Sequence, residues 1–362
     1  MLNLSDRDWR EFFIEEVCEI HSGVRLTKAD MRPGKTPFIG ASDCNNGITA
    51  FVSNTNNSYK ANVLGVNYNG SIAESFFHPY AALFSDDVKQ FEIKVKNPTK
   101  YMYLFLKTVI LQQKSKFAYG YKFNEQRMRR QIILLPVSSD GDPDWHFMEE
   151  FIKERESGLM AKYMTFIQRE IVLLENMPGG GQSLDDLEWR EFSIRDIFDL
   201  VQRGKRIIRA DQVAGQVPYI SAKAENNGFD SMCGNSTGVR KFKDCITVAN
   251  SGSVGASFYH PYAFVASDHV TALRRMEANK FQYLFLKTLL SRLGEKYSFN
   301  REMTDSRLKK EKIILPADSK GEPAWDAMNT LMMQKEAAAL KKYLRFKCQT
   351  AEKQVADFNG GR

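Results

Sequence analysis

Apolar positions along this chain alternate between two textures. Short β-type runs such as FEIKV (Phe91 to Val95) and CITVA (Cys245 to Ala249) lie between clusters of Gly, Asn, Ser and Pro, the pattern of strands separated by turns. A continuous apolar face over Lys100 to Gln113, and again over Lys280 to Arg292, predicts one medium helix in each half of the chain. After Asp144, the positions Trp145, Met148, Ile152, Leu159, Tyr163, Phe166, Ile171 and Leu174 follow three-to-four spacing, as do Trp325, Met328, Met332, Ala339, Tyr343 and Phe346 later on. These stripes predict two long helices of about 30 residues, roughly 45 Å each. Asp144 suits an N-cap, and Glu149 and Glu150 suit the positive helix end. MPGGGQS (Met177 to Ser183) stops the first helix.

The same order of elements occurs twice because the sequence does. WREFFIEEVCEI at Trp9 recurs as WREFSIRDIFDL at Trp189, PFIGASDCNNG as PYISAKAENNG, and NGSIAESFFHPY as SGSVGASFYHPY. YLFLKT recurs at Tyr103 and Tyr283, and ILLPVSSDGDPDW is matched by KIILPADSKGEPAW. The offset stays between 180 and 182 residues, far longer than a solenoid unit of about 20–50 residues. The expected architecture is α+β, with residues 1–144 and 189–324 as similar globular parts. Helices occupy 145–177 and 325–357, and a Gly-rich linker covers 178–188. Two long helices with narrow stripes would pair with each other as a coiled coil; the alternative is that each packs on its own globule.

At 362 residues the chain is long enough for two domains. Its formal charge of +7 suits a nucleic-acid or acidic-protein partner without requiring one. Cys18, Cys44, Cys233, Cys245 and Cys348 include no CxxC pair, which suits reduced thiols in the cytoplasm better than a zinc site. MLNLSDRDWREF has no apolar core of signal length, and no apolar run is long enough for a membrane span.

Catalytic motifs are missing. His78 and His260 recur in HPY turns with no nucleophile or repeated carboxylate beside them, so they read as structural. Asp86, Glu92 and Lys94 resemble the acidic set of metal-dependent nucleases, but the second copy keeps only Asp268. No phosphate loop follows a strand, and the (N/D)-P-P-aromatic string of amino-methyltransferases does not occur. No metal or cofactor is expected in the chain.

What repeats instead is a set of polar and basic loops. Arg25 and Lys28 match Lys205, Arg206 and Arg209; Asn45 and Asn46 match Asn226 and Asn227. Lys116, Tyr119, Tyr121, Lys122, Asn124 and Arg127 match Lys296, Tyr297, Asn300, Arg301 and Arg307, with Arg129, Arg130, Lys309 and Lys310 nearby. Lys and Arg neutralise phosphates, and Arg and Asn carry the donors that read base edges. Met148, Ile152, Leu159, Tyr163, Phe166, Met328, Met332, Tyr343 and Phe346 are the candidates for spacer-helix packing or partner docking.

These blocks resemble the specificity subunits of type I restriction-modification systems, and more closely those of BcgI-like type IIB systems. WREF at each module start, P-[FY]-I before NNG, GS[IV]..SF.HPY with its following SD, and the ILLP…PDW passage into a helix carry the resemblance from Trp9 to about Asp357. It implies two target recognition domains, each reading half of a bipartite duplex DNA sequence, separated by two antiparallel helices. Those helices would set the spacing and dock methyltransferase subunits, fused or not to a nuclease, which bind S-adenosylmethionine and methylate adenine. Half-sites on one face of a duplex lie about 34–36 Å apart, the order of the expected spacer. A stand-alone methyltransferase or nuclease, and a non-DNA scaffold built on the coiled coil, are the competing readings.

Overall fold

The structure is a computed structural model that describes residues 1–117, 121–179, 182–297 and 302–360, with backbone alone for 348 and 350–360. The chain divides into two compact units, Met1–Tyr163 and Met164–Arg362.

In the first unit, Trp9–Phe13 pairs antiparallel with Ile132–Pro136. A four-stranded sheet runs Cys18–Ser22, Val88–Ile93, Val63–Asn67, Ser75–His78, antiparallel throughout. A second sheet joins Ile48–Val52, Pro33–Ile39 and Leu83–Phe84, the last pair parallel. VLGVN at Val63–Asn67 is buried at every position, which explains its unbroken apolar run: an inner strand covered on both faces has no polar side to show. The helix Lys100–Leu111 lays Tyr103, Phe105, Leu106, Val109 and Ile110 onto this core. It ends two residues before the sequence pattern suggested.

The second unit repeats the plan. Glu188–Ser193 pairs with Lys312–Ala317, and the four-stranded sheet runs Leu200–Arg203, Val270–Arg274, Cys245–Ala249, Ser257–His260. CITVA is again wholly buried. Its second sheet has an additional strand, Lys241–Phe242, beside Phe264–Ala266; the first unit has only the isolated bridge Lys60 to Ala82 there. FEIKV proves to be the end of a strand, Val88–Ile93, because Lys94 and Val95 leave the ladder.

The duplicated histidines are structural. His78 and His260 are fully buried, each ring nitrogen Nδ1 within 3.3 and 3.2 Å of the hydroxyl of Tyr80 and Tyr262. Burial lowers both to about 4, so they stay neutral at pH 7 and cannot serve as bases poised near it. In the second unit Thr247 Oγ1 meets His260 Nε2 at 2.8 Å. The equivalent position is Gly65, where a side chain would collide with the His78 ring.

The long helices are Trp145–Asn176 and Trp325–Gly360. Asp144 caps the first, accepting the Phe147 amide at 2.8 Å while pairing with Arg7 at 2.8 Å; the second has Ala324 at that place. Their first turns correct the expected stripe. Met148 and Met328 are fully buried in their own unit's core, with Ile152 and Met332 packed against it, so these four anchor the helix starts to a globule, while Met332 also takes the expected place against the cluster of Leu174 and Met333. The unit boundary falls inside the first helix. Beyond it Leu174 packs with Phe281, Met333 and Ala337, and Glu175 pairs with Lys341. Gly179 lies against Thr330, so numbering falls along one element as it rises along the other, and this stretch is antiparallel. Met333 and Ala337 take the seam expected of Ala339, which is exposed. Leu159, Tyr163, Phe166 and Phe346 are 69, 47, 54 and 60% exposed, and Tyr343 is half-buried. No described helix is long and apolar enough to cross a membrane.

Candidate nucleic-acid interface

The first basic loop is fixed by a close approach. Leaving the strand Cys18–Ser22, the chain passes Gly23, where any side chain would overlap the Ser85 carbonyl; Gly204 is pressed on Ser267 in the same way. Each loop therefore starts against the Ser-Asp turn that follows HPY. Arg25 is 78% exposed, with its guanidinium 3.8 Å from Asp86, and Lys28 is exposed. Lys205, Arg206 and Arg209 are exposed and carry no ion pair among the described residues. At rest they present uncompensated positive charge.

The third cluster arrives at the same edge. Asn124 caps the helix Glu125–Arg129 through the Arg127 amide at 3.0 Å. Arg127 is not an open reader: its Nη1 donates to the Lys122 carbonyl at 2.7 Å, and its guanidinium lies 3.7 Å from the centre of the exposed Tyr121 ring. In the second unit Thr304 caps Asp305–Leu308, and Arg307 Nη1 donates to the Glu302 carbonyl at 2.8 Å. The two arginines lock equivalent turns, and Glu302 stands where Lys122 does. Lys116 is exposed, whereas Lys296 pairs with Glu311 at 3.1 Å. Tyr297 corrects the expected set: it is buried in the core with its hydroxyl on Glu311 at 2.5 Å, because it occupies the place of Phe117. Tyr119, Asn300 and Arg301 lie outside the described residues.

Residues not singled out by sequence reading join the first and third clusters. Glu125 accepts from Arg129 at 2.8 Å, Lys89 at 3.2 Å and Ser22 at 3.1 Å. The Arg129 hydrogen bond, with Lys89 and Ser22, lowers it to about 2. Asp305 takes that role in the second unit, accepting from the Arg203 amide at 2.9 Å and Thr271 Oγ1 at 2.8 Å. Arg203 also bridges to Glu302 at 2.5 Å and to Asn250 at 3.4 Å. Only the duplicated acid (Glu125, Asp305) offered a signal in sequence; its partners come from distant segments.

The Asn turns sit further along the same edge. Asn45, Asn46, Asn226 and Asn227 have φ of 49, 56, 50 and 54°, the left-handed region that Asn tolerates better than other side-chain-bearing residues. The NNG repeat thus has a backbone cause, and all four side chains are exposed on it. Asn67 Nδ2 ties this segment by donating to the Ser42 carbonyl at 2.9 Å. Gly70 and Gly252, both at positive φ, press on Ala41 and Ala222. The loop at Asn69 then reaches Asp87, and Ser251 reaches His269. Within each unit, an unbroken chain of neighbours runs from the Asn turn through the 69–71 or 251–253 loop and the Ser-Asp turn to the basic loop and the short capped helix.

The model of the family described as type I restriction modification DNA specificity domain matches residues 6–162 and 186–344. The chain belongs to that family. Each unit of this specificity-domain protein corresponds to one match. A specificity subunit from Heyndrickxia coagulans, described as the S.BcgI subunit of the type II restriction enzyme BgcI, is 57% identical over 160 residues, 44% of this chain. The match spans about half (47%) of that relative's length. Among solved structures, the S subunit of a type I restriction-modification system from M. genitalium is similar at 14% identity and TM-score 0.48, covering 98% of this chain and 96% of that one. The HsdS subunit from Thermoanaerobacter tengcongensis gives 14% and 0.32, covering 92 and 91%.

The nuclease-like string of this specificity-domain chain dissolves in the structure. Lys94 donates to the Glu15 carbonyl at 2.6 Å, Lys60 sits on Glu92, and Asp86 faces Arg25. Glu19, His21 and Glu92 bring ligand atoms within 4.8 Å of one another. The second unit has Leu200, Gln202 and Arg274 at those register positions. The edge as built can neutralise phosphates and offer hydrogen bonds.

Proposed function

We propose that this chain is the DNA specificity subunit of a restriction-modification complex and has no catalytic site of its own. Each unit reads one half of a bipartite duplex target through the edge described above. The observation that carries the reading is an exposed polar edge built twice on one backbone plan by two family-matched segments, with side chains that differ between copies. Lys28, Lys205, Arg206 and Arg209 suit phosphates, and the Asn turns and Ser-Asp turns suit base edges. The long helices set the half-site spacing and dock methyltransferase subunits, fused to a nuclease or separate, in the cytoplasm. Those partners bind S-adenosylmethionine and methylate adenine. The relative's printed name favours the BcgI-like arrangement over type I.

Selection from a randomised duplex library by the assembled complex tests this. Enrichment of two short sequences at a fixed separation is the expected result; enrichment of none sinks it. Methylation or cleavage by the purified chain alone would remove the non-catalytic assignment.

A further inference from the structure

The Ser-Asp turn carries equivalent residues of opposite chemistry in the two units. The Tyr68 amide donates to the Asp87 carbonyl at 3.1 Å, and the Asn250 amide to the His269 carbonyl at 3.0 Å, so positions 87 and 269 share one backbone frame. Each side chain is steadied by the next residue of that neighbouring loop. Asn69 Nδ2 donates to Asp87 Oδ1 at 3.0 Å, and the Ser251 hydroxyl meets His269 Nδ1 at 2.6 Å. The bond between the two loops is kept while both its ends have changed together. A bond kept only to hold the loops would gain nothing from replacing an acid by an imidazole. A changed reading task would.

What each group offers follows from its partners. Asp87 is half-buried, and its carboxylate accepts only, from Asn69 and from the Tyr68 hydroxyl, which still leaves a lone pair for a further donor. His269 is half exposed, and its Nε2 is 3.8 Å from Asp268, beyond hydrogen-bond reach. The Ser251 hydroxyl can donate to Nδ1, and in that tautomer Nε2 carries the proton and is offered as a donor. Both positions adjoin the basic loops that would hold the backbone of a duplex, in the first unit through Asp86 and Arg25 and in the second through Gly204 on Ser267.

We infer that Asp87 and His269 determine specificity at equivalent places in the two half-sites, Asp87 accepting from the amino group of a cytosine and His269 donating to a guanine. This rests on the DNA-recognition reading. The test is library selection by the full chain in its complex, comparing wild type with Asp87→Asn and His269→Asp. Wild type should select cytosine at one position of one half-site and guanine at one position of the other. Asp87→Asn, which gains a donor, should shift its position toward adenine by on the order of tenfold and leave the other half unchanged. His269→Asp should shift its position from guanine to cytosine. His269→Gln conserves the reach to Ser251 and should move it toward adenine if the acid disturbs the loop. A bipartite motif whose base preferences are the same in the variants overturns the inference and leaves the DNA reading intact; a wild type that selects no motif overturns both.

Discussion

Within each unit, the ribbon and helix start differ from the recognition edge in what duplication has preserved. At the ribbon, Trp9 and Trp189, Arg10 and Arg190, and Glu11 and Glu191 hold the same register against Ile132–Pro136 and Lys312–Ala317. Met148 and Met328 seat the following helices in the same way. At the edge the frame is equally constant, but Ser22 corresponds to Arg203, Lys89 to Thr271, Lys122 to Glu302 and Asp87 to His269. The contrast teaches that the two copies share a scaffold and a helix anchorage while their reading surfaces have diverged, as two different half-sites would require.

The scaffold side of this comparison breaks most easily. Met148→Ala or Met328→Ala removes a fully buried side chain and should cost about 2–5 kcal/mol. Leu159→Asp, on an exposed position, should change stability by less than about 0.5 kcal/mol. Urea denaturation of the full chain measures both, and equal effects would erase the distinction between anchorage and exposed helix.

Next comes acid. His78 and His260 have folded values near 4, below the ordinary 6.5, so the unfolded chain takes up the protons. Their contribution is present above pH 6.5 and drains as pH falls toward 4, by roughly 2 kcal/mol each at pH 4.5. Replacing His260 by Phe should flatten stability between pH 6.5 and 4.5; a variant as acid-sensitive as wild type would show that the histidine is not responsible. Glu125 acts in a lower window. Held near 2 by Arg129 and its neighbours, it contributes above its ordinary value of about 4.5 and loses that contribution as pH falls through 2.

The recognition edge should respond to salt rather than to denaturant. Replacing Lys205, Arg206 and Arg209 together by Ala should weaken duplex binding by at least about tenfold. The slope of log affinity against log salt should flatten by about 0.9 for each phosphate no longer neutralised, with melting unchanged. An unaltered slope would remove these residues from the interface. A smaller loss is expected at the helix caps: Asp144→Ala should cost about 1 kcal/mol, and the second unit, which already has Ala324, has no such bond to lose.

Much of this was legible in the chain. The period near 180 residues, the β-type run CITVA, the Asp144 cap and the non-catalytic HPY histidines follow from local pattern, because strand propensity, capping and turn chemistry are decided by near neighbours. Tyr297 was not legible as core, since a tyrosine in a basic loop looks the same in sequence whether its ring turns inward or outward. Arg127 and Arg307 looked like base readers for a similar reason, and only the fold shows them closing their own turns.

By itself, then, the sequence determined that there are two copies, what each is made of, and where their polar loops lie. Tertiary structure alone decided which loops meet: Glu125 with Ser22 and Lys89, Asp305 with Arg203 and Thr271, Asn69 with Asp87 and Ser251 with His269. Those pairings join segments 18 to 103 residues apart, and no local propensity encodes them. They arise because strand order in the sheet brings distant turns to one edge, where hydrogen bonds then select which side chains face the solvent.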